Sequence, residues 1–253
     1  MGAIFRKRSG INWVIVFSMK WRDIKGNITV RPWYVPLPVD GMWFIGTNLQ
    51  NMKHGWNEPA TAKFIKNALK PGQTFVDIGA NYGYYSVLAA KQGAKVISYE
   101  PDETSFRRLR RNLFINGVSA TLHKSAVSDH EGVMSFFVTK KGAGTNTTRA
   151  AVLDGPVVEH QVKTERCLDV YDLCKIDVEG AELSVLKGLK HHGMIICELN
   201  PKAHERQGST PQEFLNGIRA LGWTIEDIEE GPRPDEYLIQ KARDGSVLNL
   251  LLK

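Results

Sequence analysis

From residue 59 onward, short apolar runs alternate with segments of helical periodicity, and no other property of the chain restricts its fold as much. Strands separated by helices pair through crossovers, which builds a mostly parallel sheet with helices on both faces. The periodicities predict helices over 59–69, 83–92, 102–116, 180–190 and 210–222. They predict seven strands, over 74–78, 95–99, 120–127, 171–178, 194–199, 223–228 and 236–240, and a hairpin of 132–139 with 157–164 around the loop 142-GAGTNTT-148. The clearest helix signal is 210-TPQEFLNGIRALG-222, where Thr210 can cap, Pro211 suits the first helical position, Glu213 completes a capping box and Gly222 stops the run.

The segment before this alternation has a different composition. Five of the six tryptophans (Trp13, Trp21, Trp33, Trp43 and Trp56) fall there, with Pro32, Pro36 and Pro38. Residues 1–57 therefore read as an aromatic-rich N-terminal extension of β character packed on a main domain of residues 58–253. Most of these rings are expected to be packing mass, with one or two available to wall a substrate pocket. The apolar run 11–19 is about half the length that crosses a bilayer, so no transmembrane span is expected. Cys167, Cys174 and Cys197 form no CxxC pair, which fits reduced thiols and a cytoplasmic address. A net charge of +6 permits an acidic partner without requiring one. The oligomeric state is not set by the sequence.

In an open parallel sheet, ligands lie beyond the carboxyl ends of the strands. The first tip is 75-FVDIGANYGYYS-86. Glycines there allow a sharp turn and close approach to a ligand, and the following helix offers free N–H groups. A dinucleotide fingerprint needs a glycine where Asn81 stands. The turn therefore suits a phosphate-free nucleoside such as S-adenosylmethionine, held by Asp77, Gly79, Ala80, Asn81 and Gly83, with Asp77 reaching its cationic end.

The second tip, 98-SYEPD-102, places Glu100 and Pro101 where an acid can accept both ribose hydroxyls. At the third, 125-SAVSD-129, Ser125 and Ala126 either flank an adenine or form a plain turn. The fourth, 174-CKIDVEGAE-182, offers Asp177 and Glu179 as general base or cofactor ligand; helix capping explains Glu179 alone but not an aspartate in an apolar strand. The fifth, 196-ICELNP-201, offers Glu198 and Asn200 to a substrate. Asp177, Glu198 and Asn200 together could in principle ligate Mg²⁺, but the spacing is not diagnostic and no metal is assigned.

The set VDIGANYGYYS, YEPD followed by RRNLFINGV, SAVSD, KIDVEGAE and ELNP, in that order from about Glu58 to Pro201, resembles the FkbM-type S-adenosylmethionine-dependent methyltransferases. The resemblance implies a Rossmann-like class I methyltransferase fold, its seven-stranded sheet ending in a reversed hairpin. It implies S-adenosylmethionine as cofactor, touched by Asp77, Gly79, Asn81, Gly83, Glu100 and Asp177, and O-methylation of a sugar, polyketide or related hydroxyl compound. DVEG stands where many amino-methylating enzymes carry [DNS]-P-P-[YF], which leans toward an oxygen acceptor.

An aliphatic hydroxyl must lose its proton as it attacks, so a base is required. Asp177 or Glu179 is expected to supply it, with His54, His123, His130 and His160 as alternatives and His191-His192 suited to a helix end. The run 107-RRLRRN-112 places its arginines opposite Phe106, Leu109 and Leu113, as a solvated helix face does. Nucleic-acid binding is thus the minority reading. The expectation is an O-methyltransferase acting on a carbohydrate, glycan or small hydroxylated metabolite; the rivals are an RNA methyltransferase and a non-catalytic nucleoside-binding module.

Overall fold

The computed structural model describes residues 37–45, 58–139, 157–190 and 193–253. A hairpin of β1 (Leu37–Val39) and β2 (Met42–Phe44) precedes α1 (Pro59–Ala68). Next come β3 (Thr74–Ile78), α2 (Tyr84–Lys91), β4 (Lys95–Tyr99), α3 (Glu103–Ile115) and β5 (Thr121–His123). Three strands without helices follow: β6 (Ala126–Val127), β7 (Gly132–Thr139) and β8 (Val157–Glu165). The remainder is β9 (Leu173–Ile176), α4 (Glu182–Gly188), β10 (Met194–Leu199), α5 (Pro201–Arg206), α6 (Pro211–Ala220), β11 (Ile225–Asp227), α7 (Asp235–Arg243) and β12 (Leu248–Leu252).

The main sheet has seven strands in the order β11-β12-β10-β9-β3-β4-β5. β3, β4, β5, β9 and β10 run parallel, while β12 is antiparallel to both β10 and β11, making the reversed hairpin at one edge. Side chains alternate across a strand, so each strand feeds two cores. Phe75, Val96, Leu173, Ile196 and Leu251 pack with residues of α1, α2 and α3 on one face. Val76, Ile78, Cys174, Ile195 and Leu250 pack with α4, α6 and α7 on the other. Cover on both faces is why β9 is buried at every position and reads as an unbroken apolar run despite Lys175. The three cysteines are buried and unpaired.

Several elements depart from expectation. Residues 236–240 are not a strand but the middle of α7, whose buried Leu238, Ile239 and Ala242 keep helical spacing. Asp235 and Glu236 lie in its first turn and Lys241 and Arg243 in its last, matching the helix dipole. The closing strand is β12 instead. The expected strand 120–127 breaks at Lys124-Ser125: β5 stays in the main sheet, and β6 joins β7 and β8 in a separate three-stranded sheet. β7 and β8 form the expected hairpin, from Gly132↔Thr164 to Thr139↔Val157; its loop 142–148 lies outside the described residues. β9 ends at Ile176, two residues early, which releases Asp177 into the tip loop. The short helix α5, capped by Asn200 with Pro201 at its first turn, was not foreseen.

The described part of the extension, β1–β2, is fastened to α3 by two asparagines that behave like a neighbouring strand. Trp43 N donates to Asn116 Oδ1 at 2.9 Å, Asn116 Nδ2 returns to Trp43 O at 2.7 Å, and Ile45 N donates to Asn112 Oδ1 at 2.8 Å. Phe44 is buried beside Tyr84, with ring centroids 5.8 Å apart, and the Tyr84 hydroxyl donates to Asp40. Trp43 faces outward and Trp223 is buried. The other four tryptophans, the run 11–19, His54 and His191-His192 lie outside the described residues. Among the described residues, no helix is long and apolar enough to cross a membrane.

Candidate active site

The turn from β3 into α2 carries three consecutive odd-position residues with positive φ: Gly79 at 79°, Asn81 at 51° and Gly83 at 83°. Both glycines are required by the packing of the protein itself. A Cβ on Gly79 would stand 1.9 Å from the Asp177 carbonyl oxygen, and one on Gly83 2.4 Å from Leu109 Cδ1. The turn is therefore pressed against the tip of β9 on one side and α3 on the other.

Four of its amides are engaged within the chain. Gly79 N and Ala80 N both donate to Tyr99 O at 3.0 Å, Gly83 N to Ala80 O at 2.8 Å, and Asn81 N to Glu100 Oε2 at 2.8 Å. A pyrophosphate site needs such amides free, so a phosphorylated ligand fits this turn poorly. Acceptors remain. Asn81 Oδ1 is buried and, among the described residues, has no hydrogen-bond partner. Glu100, 5% exposed, receives Asn81 N on one oxygen and Asp102 N on the other at 2.8 Å. A carboxylate has about four lone-pair sites, so Glu100 can still accept from ribose hydroxyls. Burial pushes its carboxyl up to about 8, against the pull of the Asp102 and Asn81 amides. The half-buried Pro101 follows, and Asp102 caps α3 through Ser105 N at 2.8 Å. These residues fit a nucleoside that donates hydroxyls and carries a cationic end.

Asp77 sits deeper than expected. At 2% exposed it accepts the Ser86 hydroxyl at 2.5 Å, and Ser86 Oγ is 2.8 Å from Ser98 Oγ. Burial raises its carboxyl to about 6, with the Ser86 hydrogen bond opposing. One Asp77 oxygen is thus turned into the seam between β3, β4 and α2. At the third tip the Ser125 hydroxyl donates to Glu165, which also meets Lys163 Nζ at 2.7 Å and His123 Nδ1 at 3.1 Å. Ala126 pairs with Thr164 in the small sheet.

The tips of β9 and β10 hold a cluster of charges, two of which sequence reasoning missed. Lys175 is 1% exposed within β9. Its ammonium lies 2.8 Å from Asp177 Oδ2 and 4.8 Å from the centre of the Tyr85 ring. The Tyr85 hydroxyl donates to Glu58 Oε2 at 2.6 Å. Glu58, Asp177 and Glu198 each bring an oxygen within 4.8 Å of the other two. Burial alone would ease the proton off Lys175, but the Asp177, Glu58 and Glu198 charges outweigh it and hold the ammonium above its ordinary range. Glu198 is pushed well above the usual carboxylate range by burial and then by Asp177. A lysine between Cys174 and Ile176 was the available signal, because a charge in a strand buried on both faces needs a partner nearby.

Glu179 has a φ of 56°. Burial, then the charges of Asp177 and Glu182, raises its carboxyl to about 7. Its Oε2 accepts Asn200 Nδ2 at 3.4 Å, while Asn200 Oδ1 caps α5 through Ala203 N at 3.3 Å. Asn200 is therefore turned toward Glu179 and its own helix, and the third carboxylate beside Asp177 and Glu198 is Glu58. Glu182, fully buried, collects Val178 N at 3.3 Å and Gly180 N at 3.0 Å on one oxygen; its other lies 3.2 Å from the buried His204 Nε2. It fixes the loop that presents Asp177 and Glu179. Among the alternative bases, His123 pairs with Glu165 and stacks on Tyr99 at 4.4 Å, His130 pairs with Asp129 at the surface, and His160 is exposed on β8. In the basic run, Arg107 pairs with Glu103 at 2.6 Å, whereas Arg108 reaches inward to the Tyr82 hydroxyl at 2.5 Å.

Residues 77–223 match the family model described as the methyltransferase FkbM domain. The chain is similar to the 31-O-demethyl-FK506 methyltransferase FkbM of Streptomyces tacrolimicus, 28% identical over 195 residues covering 62% of this chain and 75% of that one. It is also similar to the methyltransferase sdnD of Sordaria araneosa, 28% identical over 215 residues covering 66% and 80%. Among solved structures, the Pyrococcus abyssi tRNA (uracil-54, C5)-methyltransferase in complex with S-adenosyl-L-homocysteine aligns at a TM-score of 0.49 and 13% identity, over 86% of this chain and 43% of that one.

Proposed function

The chain belongs to the methyltransferase FkbM domain family and is an S-adenosylmethionine-dependent methyltransferase, and on that premise we propose that its acceptor is a hydroxyl oxygen of a carbohydrate, glycan or small hydroxylated metabolite. The observation that carries this reading is the group of carboxylates at the β9 and β10 tips, Asp177, Glu179 and Glu198, across from a turn whose amides are satisfied internally. The name of one relative, a 31-O-demethyl-FK506 methyltransferase, points the same way.

When bound, the cofactor supplies an electrophilic methyl group on a sulfonium. Glu100 accepts the ribose hydroxyls and Asn81 Oδ1 supplies a further acceptor; Gly79, Ala80, Gly83 and Pro101 shape the wall, Ser125 and Ala126 flank the adenine, and Asp77 supports the turn from beneath. Asp177 joins the two sides, its carbonyl against Gly79 and its carboxylate against Lys175. Holding the acceptor oxygen in line is worth at most roughly 7–11 kcal/mol. Asp177 or Glu179 takes the hydroxyl proton, a contribution of roughly 10²–10⁴-fold. Glu198 orients the acceptor, and Asn200 acts one step back by holding Glu179.

The test is calorimetry with S-adenosylhomocysteine, followed by transfer of labelled methyl to a panel of hydroxylated acceptors. Stoichiometric binding and an ether product are expected. Failure to bind S-adenosylhomocysteine, or methyl recovered only on nitrogen or on RNA, overturns the reading.

A further inference from the structure

We infer that Glu58, Asp177 and Glu198 form a binding site for one divalent, oxygen-preferring cation at the carboxyl ends of β9 and β10. Two separate observations lead there. The first is geometric: one oxygen of each carboxylate lies within 4.8 Å of the other two. Ligand oxygens of one cation held at about 2.0–2.6 Å lie no more than about 4–5 Å apart, so the three carboxylates stand close enough to share an ion.

The second concerns Glu198. It is 7% exposed and faces the other two acids, yet among the described residues it makes no hydrogen bond and no ion pair within 4 Å. A buried carboxylate without a partner is costly. A ligand that supplies positive charge at this point removes the cost.

The neighbours of the other two acids suit the same occupant. Lys175 holds one Asp177 oxygen and the Tyr85 hydroxyl holds one Glu58 oxygen, so each is oriented by its own partner and, among the described residues, has no second one. This is how outer contacts commonly fix carboxylate ligands around a metal. With the Glu198 proton displaced on binding, three carboxylates against the Lys175 ammonium leave two negative charges, the complement of one divalent cation. Asn200 and Glu179, engaged with each other, stand outside the set.

Binding of the ion is separate from the methyl-transfer reading. Its place beside the proposed acceptor position would let it draw a hydroxyl oxygen in and ease loss of its proton, and only that role rests on the reading.

The experiment titrates MnCl₂ into the chelator-treated full chain without cofactor and follows free Mn²⁺ by electron paramagnetic resonance. One Mn²⁺ per chain, bound more tightly than about 1 mM, is expected. Glu198→Gln and Glu58→Gln should each weaken it at least about tenfold, Tyr85→Phe less, and the exposed Glu205→Gln not at all. Absence of stoichiometric binding by the parent, or equal binding by Glu198→Gln, overturns the inference. Thermal melts of every variant separate loss of the site from loss of the fold. S-adenosylhomocysteine calorimetry on the same samples tests the methyl-transfer reading independently.

Discussion

Along the β3–β4 side of the candidate site, positions are fixed by the backbone: a turn with three positive φ values, amides closed on Tyr99 and Glu100, and the buried carboxylates Asp77 and Glu100. Along the β9–β10 side they are fixed by side-chain charge: Lys175 against Asp177, Tyr85 against Glu58, and Glu198 among them. The first construction admits little variation, because changing a residue changes the path of the chain. The second can be altered by single substitutions while the scaffold stays. A fold that keeps one cofactor and serves different acceptors would divide its site in this way.

The comparison breaks first at Gly79, the point where the two sides touch. Gly79→Ala combines left-handed strain of about 1–3 kcal/mol with a methyl driven into the Asp177 carbonyl. A total near 3 kcal/mol or more, a fall in melting temperature of roughly 10 °C and loss of S-adenosylhomocysteine binding are expected. A variant that melts and binds like the parent shows that the turn is not locked.

Next in size are Asp177→Asn and Glu179→Gln. One of them should lower turnover by roughly 10²–10⁴-fold, while cofactor affinity moves less than in the Glu100 variant below. If turnover is unchanged in both, neither carboxylate is the base.

Glu100→Gln should do the reverse. Loss of charged hydrogen bonds of about 1.5–3 kcal/mol weakens S-adenosylhomocysteine roughly 10–100-fold at about pH 9. If Asp177→Asn weakens the cofactor equally, the division between the two sides fails.

The pH dependence sharpens the same point. The Glu100 carboxyl in the cofactor-free protein titrates at about 8, raised from 4.5 chiefly by burial. Ribose hydroxyls need the ionised form, so affinity should climb up to about tenfold per pH unit and level off above about 8. Stability of the cofactor-free protein runs the other way. The folded chain keeps a proton that the unfolded chain releases, so stability is greatest below 4.5 and declines as pH rises toward 8. Asp77 contributes with the same sign between 3.8 and about 6. Binding isotherms and melts across this range, with Glu100→Gln giving the flat profile, check both directions.

The smallest effect belongs to a residue on neither side. Thr210→Ala removes half of a complete capping box on α6 and should cost about 1 kcal/mol, or a few degrees of melting temperature, with turnover unchanged.

Where local chemistry decides the structure, the sequence was legible. The capping box at Thr210 and Glu213 formed as written, and every parallel strand of the main sheet appeared within a few residues of its expected span. Misreadings arose where tertiary context decides. The segment 235-DEYLIQKAR-243 carries β-compatible Tyr237 and Ile239, but its buried residues follow helical spacing once α6 packs beside it. β6 left the main sheet because Thr164 and Glu165 of β8, nearly forty residues later, paired with it. On the site, the strand tips and their acids were visible, since topology alone places ligands there. Glu58 was not, because it enters from the start of α1 and meets Asp177 only in three dimensions. The capping role of Asn200 was unread for a related reason: an asparagine before a proline is as good a helix cap as a ligand, and here it caps α5.

Glu182 carries a consequence for anyone tracing descendants of this chain. Its carboxylate holds two loop amides and faces His204 in the interior, so it is required for shape whether or not any chemistry happens at Asp177. A copy that decayed into a silent pseudoenzyme would keep the closing letter of KIDVEGAE simply in order to remain foldable. Competence would have to be judged from the lysine and aspartate that begin that stretch.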